Sequence, residues 1–146
     1  MTVKFKKILC PLDFDRNSAA ALRFAAELAE PESTLYLLHV IPEVDRPGFE
    51  QYPPTIELAR ESLENFASEQ LTDQTQRELL VRTGNAADVI VGAADELGVD
   101  LIVIATHGHK GLVRFVLGSV AERVLRESRR PVLTLRPAAS LQPASA

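Results

Sequence analysis

Residues 101–105 read Leu-Ile-Val-Ile-Ala, five apolar side chains in succession between Asp100 and Thr106. A strand with one wet face alternates apolar and polar residues, so this unbroken run predicts a strand covered on both sides, as at the centre of a parallel sheet. Parallel neighbours require a crossover between them, most often a helix. The rest of the chain supplies both in alternation. A first strand is predicted at Ile8-Leu9-Cys10, ended by Pro11. Asn17 or Ser18 can cap a helix whose Ala21, Leu22, Ala25, Leu28 and Ala29 share a face before Pro31 stops it. Leu35 to Val40 is a second strand. Four of the nine prolines, Pro42, Pro47, Pro53 and Pro54, then crowd the connection from Ile41 to Pro54, which reads as a mobile loop.

Beyond that loop, Ile56, Ala59, Leu63, Phe66 and Ala67 mark a second helix, and Glu78 to Val81 a third strand closed by Gly84. Asn85, three residues before Asp88, starts a third helix with Val89, Ile90, Ala93 and Leu97 on one side and Gly98 at its end. After Ala105 comes a glycine-bearing loop. Val120, Ala121, Val124 and Leu125 form a fourth helical face, and Val132 to Leu135 a fifth strand. Right-handed crossovers then give an α/β fold with a single doubly wound five-stranded parallel sheet, strand order 3-2-1-4-5. Residues 1–137 are expected to form that one domain and 138–146 a disordered tail. Ligands of such sheets bind beyond the carboxyl ends of the strands where the winding reverses, which points to the segments after Cys10 and Ala105.

Composition narrows the function. With 146 residues, 46% apolar and 25% charged, the chain fits one soluble domain. No apolar run approaches the roughly 20 residues of a spanning helix and the first residues lack the pattern of a cleaved leader, so a cytoplasmic protein is expected, without a membrane partner. The lone Cys10 excludes internal disulfides and Cys-based zinc sites, and reads as a small strand residue. A net charge of −4, and few basic residues without interleaved aromatics, argue against a nucleic-acid surface. Any phosphate binding must be local.

Three of the seven glycines, Gly108, Gly111 and Gly118, lie between the fourth strand and the fourth helix. Glycine lets backbone N–H groups approach a ligand, and Ser119 begins a helix whose first-turn donors suit a phosphate. The same residues admit another reading. Ser119 and Glu122 match a capping box, which satisfies those donors without a ligand, and glycines turn the chain. No Gly-Lys-Ser/Thr and no Gly-x-Gly-x-x-Gly occurs, so neither a P-loop nor an ordinary dinucleotide site is supported. After the first strand, Asp13 can bond a ribose hydroxyl or an adenine amine. Alternatively Asp15 caps the first helix and Asp13 only orders the turn. Val81-Arg82-Thr83-Gly84 offers no phosphoacceptor aspartate, His107 and His109 lack further metal ligands beside them, and Ser119 lacks a nucleophile elbow.

Taken together, Ile8-Leu9-Cys10-Pro11-Leu12-Asp13, Leu38-His39-Val40, Ala105-Thr106-His107-Gly108 and Leu117-Gly118-Ser119-Val120-Ala121-Glu122 resemble the universal stress proteins, to about Arg136. The ATP-binding branch carries Gly-x2-Gly-x9-Gly-Ser/Thr. Here Gly108, nine residues and Gly118-Ser119 match it, with Ala105 in place of the first glycine. Alanine preserves the backbone approach if its φ is negative. The resemblance implies a Rossmann-like, adenine nucleotide alpha hydrolase-like fold. It implies Pro11, Leu12, Asp13 and Val40 around adenine and ribose, and Gly108, His109, Lys110, Gly118, Ser119 and Val120 along the triphosphate. It also implies magnesium or manganese held largely by phosphate oxygens and water, and a homodimer through Val132 to Leu135. The function so implied is a dimeric ATP-binding sensor in stress regulation rather than a catalyst. A slow ATPase or adenylyl-transfer enzyme, and a structural dimer that binds no nucleotide, are the alternatives.

Overall fold

The computed structural model describes residues 4–43, 55–106 and 118–136. Most of the proline-rich connection, the tail 138–146, and Gly108, His109 and Lys110 lie outside the described residues. Among the described residues nine elements alternate: β1 (Lys7–Pro11), α1 (Arg16–Leu28), β2 (Thr34–Ile41), α2 (Ile56–Gln70), β3 (Arg77–Thr83), α3 (Ala86–Leu97), β4 (Leu101–Ala105), α4 (Ser119–Glu127) and β5 (Val132–Leu135). The five strands form one sheet in the order β3-β2-β1-β4-β5, every pair parallel. The winding runs from β1 through β2 to β3, then returns to the other side of β1 with β4. The switch lies between β1 and β4.

Side chains alternate across this sheet into two cores. Ile8, Cys10, Leu35, Leu37 and Val103 pack with Leu22 and Ala25 of α1 and Leu63 and Ala67 of α2. Leu9, Leu38, Ile102 and Ile104 pack with Ile90 and Ala93 of α3 and Ala121 and Val124 of α4. Both faces of β1, β2 and β4 are therefore dry, as the run 101–105 demanded. Each fully buried Leu or Ile contributes about 1.5–3 kcal/mol relative to exposure.

Local chemistry sets the boundaries, in places differently from expectation. Pro11 is the last residue of β1 rather than its stop, because a strand end tolerates a missing N–H, and Leu12 N–H continues the ladder to Leu38 O at 2.8 Å. Strand β2 takes in Ile41, since Gly84 N–H bonds Ile41 O at 3.0 Å and extends the β2–β3 pairing. The cap of α1 is Asp15, not Asn17 or Ser18. Its carboxylate accepts from Ser18 N–H three residues on, at 2.7 Å, the reach an N-cap requires. Asn85 caps α3 through Asp88 N–H at 3.1 Å, and Gly98 ends it in the left-handed region at φ 66°.

Candidate functional site

Between the carboxyl ends of β1, β2 and β4 and the first turns of α3 and α4 lies a cleft of about 290 Å³. It stands at the switch point, at the lower end of the roughly 300–1,000 Å³ usual for small-molecule sites. Of the residues the sequence singled out, Pro11, Leu12, Asp13, Val40, Ala105, Gly118, Ser119 and Val120 all line it. Four separate segments of the chain thus converge on one hollow.

Its floor is the α3/α4 face of the sheet, where Leu38 and Ile104 lie buried. Ala105 ends β4 without a positive φ, since Phe14 is the only non-glycine residue with one among those described. Its methyl group therefore adds no backbone strain at the motif's first glycine position.

The end of the cleft that presents backbone donors is α4. Helices α1, α2 and α3 each begin with a side chain bonded to a first-turn N–H, from Asp15, Thr55 and Asn85. Helix α4 begins with Gly118 as N-cap and no such bond. Ser119 is consequently the first helical residue rather than the cap, and the Ser119–Glu122 capping box is not formed. The first intrahelical bond runs from Glu122 N–H to Gly118 O at 2.9 Å. The N–H groups of Ser119, Val120 and Ala121 precede it and have no acceptor within the helix. All three residues line the cleft, where the helix dipole favours negative charge.

The opposite wall is the turn after β1. Ser18 holds it: its hydroxyl donates to Asp13 Oδ1 and accepts from Asp13 N–H at 2.9 Å, while Asp13 Oδ1 also accepts from Asp15 N–H at 3.3 Å. Asp13 thus orders the turn, and the residue lies exposed at the cleft. Burial pushes the Asp15 carboxyl above its ordinary value, and neighbouring Asp13 adds to the effect against the bonds from Ser18. Phe14 takes the left-handed conformation at φ 69° and packs its ring 4.4 Å from His39 and 5.6 Å from Phe66. His39 Nδ1–H donates to Leu12 O at 2.8 Å, tying β2 to the turn. Burial also raises the Cys10 thiol far beyond its usual range, so it stays protonated and inert.

Sequence reasoning assigned no ligand role to Ser18, Leu38, His39, Ala86, Ile90, Ile104, Thr106 or Ala121, which also line the cleft. The strand period gives Leu38 from Val40, two residues apart on one face of β2. No local pattern places Ala86 and Ile90 there, since α3 reaches the cleft only by packing over the sheet.

The family model described as the Universal stress protein family matches residues 4–136. The chain belongs to that family. A relative within it, Universal stress protein MJ0577 of Methanocaldococcus jannaschii, is 30% identical over 159 residues, spanning 93% of this chain and 98% of its own. The solved structure of MJ0577 aligns with a TM-score of 0.79 at 32% identity over 92% of this chain and 98% of that one. A universal stress protein family member from Arabidopsis thaliana, solved with AMP bound, shares the fold with a TM-score of 0.67 at 18% identity, covering 96% of this chain and 97% of its own. Another universal stress protein, solved in complex with cAMP, aligns with a TM-score of 0.65 at 23% identity over 92% and 98% of the two chains. In this universal stress protein no group of three or more His, Cys, Asp or Glu residues suited to a metal occurs among the described residues. None of their helices is long and apolar enough to cross a membrane.

Proposed function

We propose that the cleft binds ATP and that the protein is a cytoplasmic, dimeric nucleotide sensor whose affinity for downstream partners changes with occupancy. The observation that carries this reading is the start of α4, a helix without a side-chain cap whose first-turn residues line a cleft at the sheet's switch point. Phosphate oxygens are acceptors that match those donors. The spacing of Gly108 to Gly118-Ser119 supports the same assignment, as do the relatives solved with AMP and cAMP. Pro11, Leu12, Asp13 and Val40 receive adenine and ribose, with Asp13 as acceptor for a ribose hydroxyl. Gly118, Ser119 and Val120 receive the phosphates, and Gly108, His109 and Lys110 join them by their place in the motif. A magnesium or manganese ion is held by phosphate oxygens and water, in keeping with the acid-poor phosphate end of the cleft.

Strand β5 is the dimer edge. Pro131 O and Leu135 O accept from Ile102 and Thr106 N–H, so by the parallel ladder's alternation the backbone groups of Val132 and Thr134 point away from β4, open to a second copy. Isothermal titration tests the binding. Wild type is expected to bind ATP with magnesium at micromolar Kd, about −8 kcal/mol. No binding up to millimolar ATP overturns the assignment.

A further inference from the structure

One polar group at the cleft is unused by the described residues. Thr106 lines the cleft just past β4 and is 2% exposed. Its backbone is fully engaged: N–H donates to Leu135 O at 3.0 Å, and O accepts from Gly118 N–H at 2.5 Å. Its Oγ1 is buried without a hydrogen-bond partner among the described residues. Because Thr106 N–H continues the ladder begun by Ile102 N–H to Pro131 O, residue 106 keeps the parity of Ile102 and Ile104. That parity turns its side chain to the α3/α4 side, the side of Ala121, Ile90 and the α4 first turn. A buried orphan hydroxyl is costly, and valine would fill the same shape without that cost. The described residues thus leave this donor available to a ligand.

We propose that the Thr106 hydroxyl is a phosphate-selecting donor of the cleft, joining the first-turn N–H groups of α4 in binding the phosphorylated part of a nucleotide and contributing nothing to the nucleoside. The hydroxyl donates its hydrogen to a phosphate oxygen, a charge-assisted bond. Its neighbours fit an anion: Gly118, anchored through its own N–H to Thr106 O, sets the α4 N-terminus directly against this residue. Opposed effects on stability and affinity follow, which a packing residue would not produce.

The proposal rests on the nucleotide reading above, and titration of wild-type protein separates the two. Wild type that binds neither ATP nor adenosine overturns that reading and this one with it. Where wild type binds, Thr106→Val is expected to raise the melting temperature of the free protein by about 3 °C. It is expected to weaken ATP by about tenfold or more while leaving adenosine within about twofold. Thr106→Ser, which keeps the hydroxyl, is expected to bind ATP within about threefold of wild type. Equal ATP affinity of Thr106→Val and wild type overturns the role of the hydroxyl alone. So does parallel loss of ATP and adenosine, or a melting temperature that falls, since the hydroxyl is then a structural group with a partner in the free protein.

Discussion

Asp15 shows how one carboxylate can serve the backbone and still oppose the folded state. As cap of α1 it accepts Ser18 N–H, yet burial and Asp13 raise its pKa. A raised carboxyl binds more protons folded than unfolded, so its contribution to stability falls as pH rises through its titration range. Asp15→Asn keeps the cap and removes the charge. Urea midpoints between about pH 4 and 7 are expected to shift in favour of the variant as pH rises. Gly98 isolates a backbone effect: a Cβ there meets nothing within 4 Å, but φ is +66°. Gly98→Ala is expected to lower unfolding free energy by about 1–2 kcal/mol, read by chemical denaturation, with no change in ligand binding.

At the scale of elements, the start of α4 is the lever. An aspartate at position 118 would cap the helix with its own carboxylate, occupying the donors assigned to phosphate and repelling it as well. Gly118→Asp is therefore expected to raise stability by about 0.3 kcal/mol and to weaken ATP by about tenfold or more in titration calorimetry. Helix α4 is also tied to α3 at this end. The Arg123 guanidinium donates to Asn85 Oδ1 at 2.9 Å, pairs with Asp88, and meets Glu127 at 3.2 Å. Each exposed pair is weak alone, but one guanidinium joins the α3 cap to α4. Arg123→Ala is expected to cost about 1 kcal/mol, a loss that shrinks in 1 M salt, by urea titration at both ionic strengths.

For the whole molecule, a sheet with helices on both faces leaves only its edges to neighbours. If β5 pairs with a second copy, a proline at Thr134 removes an outward N–H while sparing the β4 ladder. Sedimentation is expected to find a dimer for wild type at micromolar concentration and a folded monomer for Thr134→Pro. A monomeric wild type sinks the dimer edge.

The sequence alone determined the order and kind of the elements, because dry strands, amphipathic helices and their caps are written in short stretches of chain. It pointed equally to the segments after Cys10 and Ala105, whose described residues line the cleft, since the winding of such a sheet reverses beside β1. What it left open is which of two local readings wins. Ser-x-x-Glu at 119–122 and Asp13 beside Asp15 each admit a capping and a binding role, and both turn on where a neighbouring group lies in space. Only tertiary structure decided that Gly118, held by Thr106 O, moves the α4 cap back by one residue and leaves the first turn without a side-chain partner. It alone brought Ala86 and Ile90 of α3 over the sheet, and left the Thr106 hydroxyl without a mate among the described residues. Hydrogen-bond satisfaction depends on atoms far apart in the chain, and no window of sequence can count it.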